Sequence, residues 1–206
     1  MTTSVHPSKV RDFFAYRTID LITLTTLGIA FGVVFFGWDK LYPHINIAAV
    51  ISYPPATGLL VGPWLIAGIV GGLVIRKPGA ALACELIAAS VELLAPGGSQ
   101  WGLSTLASGF WQGLGAELIF AIFLYKRFGV VVAALSAVAA AGFESVYEWH
   151  AYVPDWNFGY KLAYLGFMAV GGAIVAGLGG WFLTRALART GVLDSFGPGR
   201  EAAHEV

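Results

Sequence analysis

Apolar positions fall in long uninterrupted blocks rather than in the narrow stripes of amphipathic helices or the alternation of strands. Windows bounded by charge, proline or glycine cover residues 18–38, 56–75, 80–95, 103–125, 128–149 and 162–184. A helix needs about 20 mostly apolar residues to cross a hydrocarbon core about 30 Å thick, so the pattern predicts six transmembrane helices. The windows 56–75 and 162–184 contain no Asp, Glu, Lys or Arg. The window 80–95 is the shortest and is expected to stand upright or to draw on flanking residues. The run 21–38 follows Lys9, Arg11 and Arg17 but is too long for the apolar core of a cleaved signal peptide. It reads as a retained first helix.

Composition carries the same message. Of 206 residues, 57 % are hydrophobic and only 12 % are charged, about half the charge of an ordinary soluble domain. A water-soluble globule is excluded, and an all-α membrane protein is the expected class. The 27 glycines fit close helix packing in lipid. The expected domains are an N-terminal segment 1–17, a six-helix transmembrane unit 18–190, and a flexible tail 191–206. Ten of the twelve basic residues, Lys9, Arg11, Arg17, Arg76, Lys77, Lys126, Arg127, Arg185, Arg189 and Arg200, fall on one side of this layout. Lys40 and Lys161 fall on the other. Such asymmetry in short loops predicts that both termini are cytoplasmic. The external connections 39–55, 96–102 and 150–161, with their edges, hold Trp38, Tyr42, Tyr53, Trp101, Trp149, Tyr152, Trp156 and Tyr160, which read first as an interfacial aromatic belt.

Charge inside the predicted spans is acidic. Glu85, Glu92, Glu117, Glu144 and Glu148 lie within them, and no Lys or Arg does. An ionisable group at membrane depth costs several kcal/mol and needs a partner or a purpose. At about 1.5 Å of rise per residue, Glu92 and Gln112 both lie roughly 19 Å from the cytoplasmic end of their spans. Trp64 is slightly deeper, and Glu144 a turn nearer the outside. These residues, with Glu148, are expected to surround an outward-facing pocket, with Trp64, Trp101 and Trp111 as its stacking surface. Carboxylate, amide and indole groups together suit a flat aromatic cation. Glu85 and Glu117, about 9–12 Å from the cytoplasmic face, either close the pocket floor or brace the helices.

Other chemistries find no footing. There is no GxxxxGK[ST], GxSxG or HExxH motif, and His6, His44, His150 and His204 all lie in tails or loops. The lone Cys84 allows neither an internal disulfide nor a multi-cysteine metal cage. No basic patch interleaved with aromatics points to nucleic acid. Catalytic residues, metal sites and cofactors are therefore not expected.

Several segments together are similar to a known family. Residues 75–82 read Ile-Arg-Lys-Pro-Gly-Ala-Ala-Leu and are followed by Glu85, Ala88, Ala89 and Glu92. Then come Gln100-Trp101-Gly102, Ser108-Gly109, the run 112–118 (Gln-Gly-Leu-Gly-Ala-Glu-Leu) and Lys126-Arg127. Over residues 60–127 the chain resembles the YkoE family, substrate-binding S components of energy-coupling-factor (ECF) vitamin transporters. The resemblance implies a six-helix subunit for thiamine or its hydroxymethylpyrimidine precursor. It also implies a transmembrane coupling subunit and cytoplasmic ABC ATPases as partners, whose ATP hydrolysis topples the subunit to release the vitamin inside. Glu85, Glu92, Trp101, Gln112 and Glu117 stand where the family has glutamates, glutamine and tryptophan. Gly28 and Gly32 on the first helix resemble the small-residue face that docks on the coupling subunit, with glycine in place of the usual alanine. Two other readings of the residues stay open: a proton-coupled carrier for a small organic cation, using Glu85, Glu117 and Glu144 as a relay, and a structural or assembly protein without a small ligand.

Overall fold

The computed structural model describes residues 15–204. Expectations that fall on residues 1–14, including Lys9 and Arg11, and on 205–206 lie outside the described residues. Every regular element among the described residues is helical. Helix α1 is Thr18–Leu41, extended by a 3₁₀ turn Tyr42–His44, and α2 is the short Ile47–Ile51. The next span begins as a 3₁₀ helix, Pro54–Leu65, and continues as α3, Ile66–Ile75. Then come α4 (Ala80–Leu94), α5 (Ser104–Ile122), α6 (Val130–Ala151) and α7 (Phe158–Gly172). A π-helical stretch, Ala173–Gly179, joins α7 to α8 (Gly180–Arg189), and α9 is Gly197–Ala203. Four stretches are long and apolar enough to cross a membrane: Thr18–His44, Pro54–Ile75, Val130–Ala151 and Phe158–Arg189. Helix α4 has only 15 residues, and α5 carries Gln112, Glu117 and two serines among its 19.

The uncharged second span is the centre of the bundle. Every residue from Ala67 to Ile75 is buried, and α1, α4, α5, α6 and the last span pack around it. Its pitch is set by local chemistry. Pro54, Pro55 and Pro63 lack N–H donors, and the chain stays in the tighter 3₁₀ coil, which rises about 2.0 Å per residue. Gly58 and Gly62 let this coil touch α7. A Cβ on either would stand 2.7 Å from the carbonyl oxygen of Tyr164 or Gly171. Gly109 and Gly113 do the same for α5 on α4, where added Cβ atoms would meet Ala89 Cβ at 2.6 Å and Leu82 Cα at 2.9 Å.

Two glutamates satisfy helix starts from a neighbouring helix. Glu85 Oε2 on α4 accepts the N–H of Gly68, in the first turn of α3, at 2.6 Å. Glu117 on α5 accepts the N–H groups of Gly79, Ala81 and Leu82 at 2.7, 2.9 and 3.3 Å, at the start of α4. The Tyr125 hydroxyl also donates to Glu117. The first N–H groups of a helix have no partner within it, and an anionic acceptor there is also favoured by the positive end of the helix dipole. Both carboxyls therefore brace the bundle.

Two expectations are corrected here. Gly28 and Gly32 do not form an outer docking face. Both are buried against α4, where a Cβ on Gly28 would stand 2.6 Å from Ile87 Cγ2 and one on Gly32 2.7 Å from Val91 Cγ1. Helix α1 turns Ile22, Ile29 and Val33 outward instead. Residues after Arg189 do not trail away as a flexible tail. Leu193 and Phe196 are apolar enough to be drawn into the core beside Ile75 and Ala188. Glu201 on α9 then pairs with Arg76 through two contacts of 2.5 and 2.7 Å. Arg76 holds the Glu201 carboxyl below its ordinary range. The contact is therefore intact at neutral pH and is lost as pH falls through that lowered value.

Glu117→Ala leaves three backbone donors without their acceptor. It is expected to cost about 1–3 kcal/mol, lowering Tm in detergent by about 2–4 °C per kcal/mol, with Glu117→Gln between the two; an unchanged Tm for Glu117→Ala would refute the brace. Glu201→Gln is expected to speed amide hydrogen exchange of residues 191–203 at neutral pH while leaving α4 and α5 protected.

Candidate functional site

Helix ends and loops at one end of the bundle enclose a cavity of about 270 Å³. That is near the lower end of the roughly 300–1,000 Å³ usual for small-molecule sites. The opposite end carries Arg17, Arg76, Lys77, Lys126, Arg127, Arg185, Arg189 and Arg200. The 3₁₀ coil contributes Thr57, Val61 and Trp64 to the cavity wall, α4 contributes Ala89 and Glu92, and α5 contributes Thr105, Ser108, Gly109 and Gln112. Glu144 and Glu148 come from α6, and Tyr164 from α7. Tyr42, Trp101, Tyr152 and Trp156 close the outer rim from the connecting segments.

The aromatic wall is held by ring contacts. Tyr42 meets Trp64 edge-on at 5.3 Å between centroids and Trp101 at 6.2 Å. Trp101 lies 4.9 Å from Tyr152, and Trp156 stands perpendicular to Tyr164 at 5.6 Å. Such pairs add about 0.5–1.5 kcal/mol beyond burial, so the wall stands ready-made. Trp38, behind Trp64, donates its indole N–H to the Leu60 carbonyl at 3.0 Å. Tyr152 bonds Ser104 Oγ at 2.6 Å, and burial pushes its hydroxyl up to about 12, so it stays protonated at neutral pH.

The cavity is acidic and holds polar capacity in reserve. Glu92, Glu144 and Glu148 line it, and among the described residues no Lys, Arg or His does. Glu92 accepts from Ser99 Oγ at 3.1 Å, and Glu148 accepts from the Tyr164 hydroxyl. Glu144 Oε2 and Thr105 Oγ1 are buried without a hydrogen-bond partner. A buried polar atom left unpaired costs about 1–3 kcal/mol, which a ligand donor or cation would recover. No cluster of three His, Cys, Asp or Glu side chains able to hold a metal occurs among the described residues.

Of the residues singled out from the sequence, Trp64, Glu92, Trp101, Gln112, Glu144 and Glu148 meet in this one cavity. Three others do not. Glu85 and Glu117 are engaged with backbone N–H groups nearer the basic end and do not line the cavity, and Glu85 Oε1 is buried without a hydrogen-bond partner. Trp111 is more than a third exposed and lines an outer groove with Phe143 and Val146. Gln112 occupies the inner face, and adjacent helix residues point about 100° apart. Thr105, Ser108 and Tyr164 join the cavity without having been singled out, and Tyr42, Tyr152 and Trp156 come from the group that read first as an interfacial belt. Thr105 and Ser108 carried a signal, being seven and four residues before Gln112 on one helical face. Tyr42, Tyr152 and Trp156 were hidden among residues that equally suit an interfacial belt.

Comparison with known proteins places this geometry. Residues 19–143 match a family profile described as an ABC-type cobalt transport system, permease component. A Bacillus subtilis (strain 168) protein carrying the name HMP/thiamine permease protein YkoE is 33 % identical over 193 residues, 91 % of this chain and 92 % of that one. Among solved structures, an S component of an ECF transporter superposes with a TM-score of 0.84 at 30 % identity, over 93 % of this chain and 95 % of that one. The resemblance seen in the 60–127 segment thus extends over nearly the whole chain, a multi-pass membrane protein that belongs to the YkoE family of ECF transporter S components.

Proposed function

We propose that this S component captures thiamine or its hydroxymethylpyrimidine precursor from outside the cell and delivers it inward with a transmembrane coupling subunit and ABC ATPases. The observation that carries this reading is the cavity wall: three carboxyl groups, an amide and aromatic rings in edge-on and tilted contact, with no basic side chain among the described residues that line it. Thiamine offers a permanent thiazolium charge and an aminopyrimidine edge of donors and acceptors. The carboxyls supply the missing counter-charge, Gln112 and the carboxyl oxygens face the aminopyrimidine edge, and Trp64 and Trp101 supply flat surfaces. Charge-assisted hydrogen bonds and cation–π contacts are the strong polar contacts available in such a site. The name carried by the B. subtilis relative supports the same ligand class.

In this reading the chain crosses the inner membrane six times. Helices α4 and α5 are the spans whose short length or polar residues are sheltered by neighbouring helices. Both termini and the basic end face the cytoplasm, and the cavity faces outward. Delivery depends on partners, since the chain carries no ATPase motif of its own. The relay needed by a proton-coupled carrier loses support from the placement of Glu85 and Glu117 on backbone amides.

Calorimetry on purified protein is expected to show binding of thiamine, hydroxymethylpyrimidine or both; binding of neither would overturn the reading. Glu92→Gln and Gln112→Ala are expected to weaken binding tenfold or more, the equivalent of about 1.5–3 kcal/mol for a buried charged or hydrogen-bonded contact. Trp111→Ala is expected to leave affinity unchanged. Glu144→Gln is expected to weaken thiamine more than hydroxymethylpyrimidine, which lacks the fixed cation; equal losses would place the thiazolium elsewhere in the cavity.

A further inference from the structure

Asp39 is a buried carboxylate outside the cavity wall. Its side chain has no exposed surface, and it stands in the last turn of α1, where a negative charge opposes the helix dipole. Its contacts are to the connection between α4 and α5. Gln100 Nε2 donates to Asp39 Oδ1 at 2.8 Å and to its carbonyl oxygen at 3.0 Å. The Gln100 backbone N–H reaches Oδ2 at 3.3 Å. Lys40, half-exposed, reaches Oδ2 at 3.3 Å and donates to the Gly98 carbonyl at 2.8 Å.

The residue before Gln100 makes the matching contact on another helix. Ser99 donates to Glu92 in the cavity wall at 3.1 Å, and its hydroxyl oxygen accepts the Trp101 N–H at 3.3 Å. Ser99 and Gln100 thus fasten one loop to two carboxylates, Glu92 of α4 and Asp39 of α1. The loop, residues 95–103, contains Gly97, Gly98 and Gly102 at φ of +89°, +64° and +58°. These conformations are open to glycine and strained for other residues, so the loop's path is built into its sequence. Polar contacts, rather than apolar packing, hold its centre. Trp101 then continues into the aromatic rim against Tyr42 and Tyr152.

We propose that Asp39 is a positioning residue for ligand binding: it anchors loop 95–103 across the mouth of the cavity, so that Ser99 holds Glu92 and Trp101 stands in the wall. This rests on the cavity being the ligand site. Asp39 touches no ligand in this arrangement; it acts through Gln100. Its loss frees the loop and lets bound ligand escape faster, while the deeper wall of Trp64, Gln112 and Glu144 keeps its place.

Two measurements test this. Hydrogen exchange on ligand-free protein is expected to show faster exchange of residues 97–102 in Asp39→Ala and Gln100→Ala, with α4 and α5 as protected as in the parent protein. Stopped-flow tryptophan fluorescence with thiamine and with hydroxymethylpyrimidine is expected to show dissociation about tenfold faster or more in both variants. Association is expected to change by less than about threefold, since contact changes within one site act mainly on the off-rate. Asp39→Asn, which keeps an acceptor oxygen for Gln100, is expected to fall between. The double variant is expected to be no worse than either single one, because the two residues act through one contact. Unchanged exchange in the loop overturns the anchor whatever ligand binds. Loosened exchange with an unchanged off-rate overturns its role in binding. Absence of binding by the parent protein instead removes the ligand assignment, and the exchange result still decides whether Asp39 holds the loop.

Discussion

A backbone N–H that begins a helix among apolar neighbours has no water to turn to, and the rest of this structure depends on how that demand is met. In lipid, an irregular backbone is tolerated only where protein or a polar cavity surrounds it. The second span is irregular for half its length, running as a 3₁₀ coil through Pro63 before α3 begins. It sits at the centre of the bundle, where every neighbour is protein, and Glu85 supplies an acceptor in the first turn of α3. The coil in turn brings Thr57, Val61 and Trp64 to the cavity. Glu117 meets the same demand at the start of α4, the helix that carries both Glu85 and Glu92.

Glu85, Glu92, Glu117, Glu144 and Glu148 are thereby divided by position into two kinds of work. Toward the basic end, Glu85 and Glu117 accept from backbone amides. Toward the cavity, Glu92 and Glu148 accept from a serine and a tyrosine, and Glu144 keeps an oxygen unpaired. Basic side chains collect at the far end, where Lys77 and Arg17 close on the buried Asp20 at 2.6 Å each and Arg76 on Glu201. Among the described residues no Lys, Arg or His lines the cavity to balance its carboxyls.

The helices were legible because burial in lipid leaves long apolar blocks, and the observed elements fall close to the predicted windows. The cavity was legible to the extent that depth along a helix can be counted, which brought Glu92, Gln112 and Trp64 together. Direction around the helix was harder. Trp111 and Gln112 are neighbours in sequence and face opposite environments, and in a helix apolar on all sides nothing in the pattern sets the phase. The same ambiguity hid the inward turn of Gly28 and Gly32, since a small-residue face serves an internal neighbour as well as a partner. The folded C-terminal segment depends on Leu193 and Phe196, two apolar side chains too few to register as a block. The 3₁₀ coil had its cue in three prolines and two glycines, but its consequence, a Trp64 aimed at the cavity, needs the surrounding helices to be in place.

Aromatic residues near the outer rim first suggest a belt at the membrane surface, and here several are committed to one another. Tyr42, Trp64, Trp101 and Tyr152 form a continuous chain of ring contacts around the cavity. A wall preassembled in this way has little conformational freedom left to lose on binding, which removes one of the main costs of association. Loop 95–103 is held differently, by hydrogen bonds to the buried carboxyl groups of Asp39 and Glu92, contacts worth about 1.5–3 kcal/mol each where the acceptor is charged. Apolar packing fixes the walls, and exchangeable polar contacts fix the loop at the mouth. In the proposed reading a site that must admit a ligand from water and then hold it gains from that difference, because Gln100, the donor half of the anchor, is exposed while its acceptor Asp39 is buried.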